Sequence, residues 1–246
     1  MGTKNLTEGS IKKQLFNLAL PIMGTSFIQM AYSLTDMAWV GRLGSEAVAA
    51  IGAVGILTWM TQSLSYLNKV GSEVSVGQSI GARNTDEAKA YASHNLTMAL
   101  IISIVWGTLL FTFAFPIISL YKLEDSITEK AVEYLRIVAS GFPFIFLTSA
   151  FTGIHNAAGL SKVPFYISGT GLLLNMILDP LFILEFGWGT AGAAYAYLVF
   201  TITGSVAFCL SIEKTASVVG QLQLLCSSQI FILQKNNSFG SSGCFA

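Results

Sequence analysis

Residues 164–186 read PFYISGTGLLLNMILDPLFILEF and are almost wholly apolar. About 20 apolar residues in a helix are enough to cross the ~30 Å hydrocarbon core of a bilayer. Similar runs recur along the chain, which is 53% hydrophobic and only 11% charged, with its charges in short clusters between the runs. A membrane β-barrel requires alternating strands of about ten residues, and these runs do not alternate. The sequence therefore predicts an all-α integral membrane protein.

The apolar runs divide the chain into six predicted membrane-spanning helices. They cover residues 14–39, 46–68, 92–120, 134–157, 164–186 and 189–212. Nine Lys and Arg residues fall on the same side as the N-terminus and four on the other. Because short cytoplasmic loops carry the excess of basic residues, we expect a cytoplasmic N-terminus. Residues 1–212 are predicted to form one lobe. Residues 213–246, rich in Gln, Asn and Ser, are expected to be a disordered or frameshifted tail.

Two aspartates lie inside these apolar runs, Asp36 and Asp179. An ionised carboxylate in the membrane centre costs about 2.5 to 3.5 kcal/mol, so each needs a partner, water or a proton. Asn175 precedes Asp179 by four residues and shares its helix face. At 1.5 Å per residue, Asp36, Asp179 and Tyr197 all lie roughly 12 Å or less from the outer ends of their helices. We therefore expect one site for a proton or sodium ion from Asp36, Asn175, Asp179 and Tyr197, although tyrosine is more often a packing residue.

Two prolines are expected to bend helices near this site. Pro180 removes a backbone N–H, which frees the carbonyl of Met176 and strains the helix beside Asp179. Pro21 lies early in the first predicted span, close to the flexible Gly24. A free carbonyl beside a carboxylate and an amide could complete an oxygen shell for Na⁺ with Asp36, Asn175 and Asp179. Broken helices are also tolerated inside membrane bundles without binding an ion.

Several motifs in order along the chain resemble those of multidrug and toxic compound extrusion (MATE) transporters. The motifs are DMAWVGRLG at 36–44, Gly77-Gln78 with Gly81-Ala82, Asn156 through Gly159 with Lys162 and Pro164, and LNMILDP at 174–180. The resemblance implies one six-helix lobe of a twelve-helix antiporter that exports organic cations, such as drugs, in exchange for H⁺ or Na⁺. It also implies that Asp36, Asn175 and Asp179 form the coupling cavity, with no cofactor beyond the coupling ion. Tyr197 stands where the family often has threonine, which shifts the expectation slightly towards protons.

The resemblance implies a multi-pass plasma-membrane protein, in the inner membrane of a prokaryote, whose partners are membrane lipid and small organic cations. Because one lobe is present, function requires a second lobe or a homodimer, and the alternative is a non-transporting half-lobe that acts as a membrane assembly partner. We expect no enzymatic activity. The Gly-x-Gly-Asp and Tyr-Asp motifs of intramembrane aspartyl proteases are absent. A lipid-linked oligosaccharide flippase would need intramembrane basic residues, which the spans lack. A net charge of zero suggests no nucleic-acid partner.

Overall fold

The computed structural model describes residues 11–216, which are helical apart from short connections. Two short turns interrupt the α-helices: a 3₁₀ turn at Gly41–Leu43 and a π-helical turn at Leu181–Glu185. The described helices are α1 Ile11–Val40, α2 Ser45–Gly81, α3 Thr85–Thr112, α4 Ala114–Ser119, α5 Asp125–Ser140, α6 Phe142–Ala157, α7 Lys162–Pro180 and α8 Gly189–Ala216. The tail predicted at residues 213–246 lies outside the described residues from 217 onward.

Among the described residues, four helices are long and apolar enough to cross a membrane. They are α2, α3, α7 with its π-helical turn, and α8 up to Ser211. The pair α5 and α6 supplies a fifth apolar length, bent by 47° at their junction. The remaining long helix, α1, has 30 residues, or about 45 Å at 1.5 Å per residue. The fold is thus an all-α membrane protein with the six-helix lobe expected from the sequence.

The helix bounds differ from the predicted spans most clearly before α6. The span predicted at 134–157 is two helices, and the first begins nine residues earlier, at Asp125. Five charged residues spread along α5, at positions 125, 129, 130, 133 and 136, interrupt its apolar run, because one face is buried and the other is exposed. Pro143 lies in the first turn of α6, where its missing N–H needs no helical partner, and this favours the break at Gly141.

The second and third spans also differ in length from their predicted ranges. The second predicted span, 46–68, continues as one helix to Gly81. Arg83 then adopts a positive φ of 59°. Asn84 is the N-cap of α3, because its side-chain oxygen accepts a hydrogen bond from the backbone N–H of Glu87 at 3.2 Å. The third predicted span, 92–120, is divided between two helices. Helix α3 ends at Thr112, and the rest of the span contains the separate short helix α4.

The lobe has two buried apolar clusters at different levels of the bundle. The first lies towards the N-terminal end of α2 and includes Val54, Leu135 and Phe142. The second lies towards the C-terminal end of α2 and includes Val76 and Phe208. Buried hydroxyl and amide side chains follow α2 between and beside these clusters, which is typical of helix contacts in membranes. The predicted coupling residues lie beside the first cluster, against which Tyr197 packs.

Candidate coupling site

Asn175 and Asp179 form a buried pair on α7. Both side chains belong to residues with 0% exposure. The amide Nδ2 of Asn175 donates a hydrogen bond to Oδ1 of Asp179 at 2.9 Å. The two residues are one helical turn apart, so the pairing follows from the helix that the apolar sequence around them forms. The carboxylate is therefore held on one side by an amide from its own helix.

The two other oxygens of this pair are left without partners. Asn175 Oδ1 and Asp179 Oδ2 are buried and have no hydrogen-bond partner among the described residues. A buried polar atom without a partner costs about 1 to 3 kcal/mol, and more if it is charged. Carboxylate and amide oxygens are ligands that hard cations prefer, and a proton on the carboxyl group removes its charge. The pair is therefore suited to hold a proton or a small cation.

Asp36 approaches this pair from a second helix, α1. Its residue is half-buried, and it interacts electrostatically with Asp179, Tyr134 and Tyr197. Two carboxylates close enough to repel each other in a poorly hydrated setting disfavour the state in which both are ionised. The structure thus brings Asp36, Asn175 and Asp179 together, as the depth argument from the sequence expected. Their role in ion coupling remains a prediction.

Tyr197 lies beside these groups on α8. It is half-buried, and its ring centroid is 6.3 Å from that of Phe200. Its side chain interacts electrostatically with Asp36. Tyr197 therefore both packs against the apolar cluster and interacts with Asp36, so the two roles considered for it do not exclude each other.

Tyr134 is a member of the site that the sequence reading missed. It is 7% exposed and interacts electrostatically with Asp36, Asp179 and Tyr197. The predicted span began at Tyr134, which placed this side chain at the membrane boundary. Because α5 begins at Asp125, Tyr134 instead lies more than two turns inside a helix. The helical spacing of Ala131, Leu135 and Val138, which are buried on one face of α5, was the available sequence signal for this position.

The two prolines differ in their surroundings. Pro180 is followed by the π-helical turn, in which the N–H of Phe186 donates to the carbonyl of Leu181 at 3.0 Å. The helix beside Asp179 therefore changes its hydrogen-bond pattern, and such turns are frequent at functional sites. Helix α1 continues through Pro21 without a break. The proposed bending at either proline stays a prediction.

A six-helix membrane lobe with a buried carboxylate and amide pair is typical of secondary transporters, which place ion sites within the bilayer. The chain belongs to the MatE family, whose model matches residues 21–181. It is 29% identical over 217 residues to the probable multidrug resistance protein YoeA of Bacillus subtilis, covering 86% of this chain and 47% of that protein. It is 28% identical over 200 residues to the probable multidrug resistance protein NorM of Thermotoga maritima, covering 79% of this chain and 43% of that protein.

Solved structures give the same family relationship. The crystal structure of MATE in complex with MaL6 superposes with a TM-score of 0.83 at 28% identity. The match covers 86% of this chain and 47% of that one. The chain thus spans about half the length of the relatives it matches. Over the matched part it corresponds to about half of a multi-pass membrane protein of the MATE family.

Proposed function

We propose that this lobe binds the coupling ion of an antiporter that exports organic cations in exchange for H⁺ or Na⁺. The multidrug resistance proteins among its relatives support an efflux role. Among the observations on the lobe itself, the buried pair of Asn175 and Asp179 with two unpartnered oxygens carries the proposal. An ion or proton would satisfy those oxygens.

Coupling follows from competition for the same negative charge. When the outer side supplies a proton or Na⁺, the charge at Asp36 and Asp179 is neutralised, and an organic cation loses its electrostatic attraction to the site. When the coupling ion leaves to the inner side, the carboxylates again favour a cation. A membrane potential contributes about 2.3 kcal/mol per charge for each 100 mV, which is enough to drive such an exchange.

The experiment is efflux of a fluorescent organic cation, such as ethidium, from cells that express the chain. We expect Asp36→Asn and Asp179→Asn to abolish efflux while the protein remains inserted at the wild-type level. Asp86→Asn is the matched control. Asp86 is an exposed carboxylate outside the site, and its Oδ1 lies 3.4 Å from Nζ of Lys89. Efflux that persists in both site variants would refute the mechanism.

The transporting unit is proposed to contain two lobes, because this chain corresponds to about half of each relative. One arrangement that would supply the second lobe is a homodimer of this chain. Two differently tagged copies, expressed together and purified through one tag in a mild detergent, test this arrangement. Recovery of the second tag supports a homodimer.

We further propose a plasma-membrane location, the inner membrane in a prokaryote, with the N-terminus in the cytoplasm.

A second candidate function is that of a non-transporting half-lobe that binds another membrane protein. One face of α1 favours it, because Ser26, Gln29 and Ser33 are exposed there beside Phe27 and Met30. The Oε1 of Gln29 accepts a hydrogen bond from the hydroxyl of Tyr66 at 3.2 Å. Its amide NH₂ group suits contact with protein or water, because lipid tails accept no hydrogen bonds. Co-purification of a partner together with no efflux under any expression condition would favour this function over transport.

A further inference from the structure

A second carboxylate and amide pair lies on α2 and α6, away from the coupling site. Asn156 Nδ2 donates a hydrogen bond to Oε1 of Glu73 at 2.7 Å. Asn156 is 8% exposed, and its Oδ1 has no hydrogen-bond partner among the described residues. The same chemistry therefore occurs twice in the lobe: an amide holds a carboxylate through its nitrogen and leaves its oxygen unpartnered. In the first pair the residues are Asn175 and Asp179.

The second pair lies at the opposite end of the lobe from the first. With the cytoplasmic N-terminus proposed above, Ser45 at the start of α2 lies at the outer surface, and Glu73 is 28 residues beyond it, which is about 42 Å at 1.5 Å per residue. This exceeds the ~30 Å hydrocarbon thickness, so Glu73 lies at the inner surface. Its side chain is 32% exposed, which allows an ion to reach it from the inner solution.

The end of α6 adds a favourable field at this position. Asn156 is the penultimate residue of α6, which ends at Ala157. The C-terminal end of a helix carries partial negative charge and favours cations. A carboxylate, a buried amide oxygen and a helix C-terminus thus lie within one hydrogen-bonded pair and the helix end that carries it, and each of them attracts positive charge.

Close contact between α2 and α6 builds this pair. Gly153 of α6 packs so tightly on α2 that an added Cβ would lie 2.5 Å from the carbonyl oxygen of Lys69 and 2.8 Å from Cβ of Ser72. Asn156 is three residues after Gly153, and Glu73 is four residues after Lys69. One helical turn beyond the tight contact, the two side chains meet. The geometry is therefore set by backbone packing and not by a flexible loop.

One resident cation already interacts with the carboxylate. Lys69 Nζ lies 3.9 Å from Glu73 Oε1, at the limit of an ion pair, and 5.3 Å from the ring centroid of Tyr66. A contact of this length between partly exposed groups is weak. The ammonium group can therefore be displaced from Glu73 towards the ring of Tyr66 when another cation binds.

We propose that Glu73 and Asn156 form an inner site for a small monovalent cation, Na⁺, which is separate from the coupling site. The ion would be bound by the carboxylate of Glu73 and by Oδ1 of Asn156, and Lys69 would move aside. The site would hold a cation at the inner mouth of the lobe. This proposal rests on the proposed cation-coupled function in one respect: the choice of a small cation as the ligand.

The experiment measures binding of ²²Na⁺ to the purified full chain by a scintillation proximity assay. The background is Asp179→Asn, which removes the coupling site from the measurement. We expect this variant to retain saturable ²²Na⁺ binding and the double variant Asp179→Asn with Glu73→Gln to lose it. Asp86→Asn in the same background is the control, and it should bind as the background does. In the wild type, the carboxylate of Asp86 also pairs with a lysine, but it is 91% exposed.

A loss of binding can also result from misfolding, so a second variant is chosen that should bind ²²Na⁺ more tightly than the wild-type residue does. Lys69→Gln removes the competing ammonium group and should tighten ²²Na⁺ binding about two- to fivefold, the size expected for a partly exposed ion pair. Equal binding with and without Glu73→Gln would overturn the inner site, as would absent binding in the Asp179→Asn background or an unchanged affinity in Lys69→Gln. These results leave a proton-coupled transporter intact, whose own test is efflux by the Asp36 and Asp179 variants.

Discussion

Gly153→Ala is the substitution whose effect follows most directly from the structure. The new methyl carbon would lie 2.5 Å from the carbonyl oxygen of Lys69 and 2.8 Å from Cβ of Ser72. The first of these atoms belongs to the backbone of α2, so no rotation of a side chain can relieve the contact. The two helices must separate by a substantial fraction of an ångström.

The cost can be expressed as a change in melting temperature. Forcing an extra carbon into a well-packed contact costs about 1 to 3 kcal/mol. For a domain of this size, 1 kcal/mol shifts the melting temperature by about 2 to 4 °C. A central value of 2 kcal/mol therefore predicts a decrease of about 4 to 8 °C. Separation of the helices should also lengthen the contact between Glu73 and Asn156 and weaken ²²Na⁺ binding there.

The assay is thermal unfolding of the detergent-solubilised chain, followed by the loss of its monodisperse size-exclusion peak after heating. Gly52→Ala is the matched control, because an added Cβ at Gly52, also within a helix, meets no atom within 4 Å. Alanine is favoured over glycine in a helix by about 1 kcal/mol, so this control should melt at or above the wild-type temperature. If Gly153→Ala melts as high as Gly52→Ala, the contact between α2 and α6 is looser than the structure indicates and the reasoning is wrong.

Three further predictions concern single side chains. Asn175→Ala removes the hydrogen bond to the neighbouring carboxylate and should lower ethidium efflux at least tenfold with insertion unchanged; an effect under twofold would contradict its role. Lys130→Gln removes an exposed ion pair with Glu46 at 2.6 Å and should lower the melting temperature by no more than about 4 °C, as unfolding at low and high salt would verify. Trp106→Phe removes the indole hydrogen bond to Thr61 at 2.9 Å and should destabilise the lobe by about 1 to 3 kcal/mol, seen as a lower melting temperature.

Local patterns predicted the parts of the site that lie on one helix. Asn175 and Asp179 are four residues apart, and any helix through them places both on one face, where they are found hydrogen-bonded. The proximity of Asp36 followed from counting residues to the outer ends of two helices, because the bilayer aligns those ends. Tyr134 was not predicted as a site residue, because charges on the exposed face of α5 interrupt the apolar run by which the start of a membrane helix is recognised.

The sequence by itself determined the membrane class, the all-α fold and the family, because apolar length and the ordered motifs are local properties of the chain. Tertiary structure alone decided which oxygens remain unpartnered and that Glu73 meets Asn156, two residues separated by 83 positions. Such a contact depends on how closely α2 and α6 approach each other. That approach is set by the absence of a side chain at Gly153 and by packing around it, which no spacing rule along a single helix specifies.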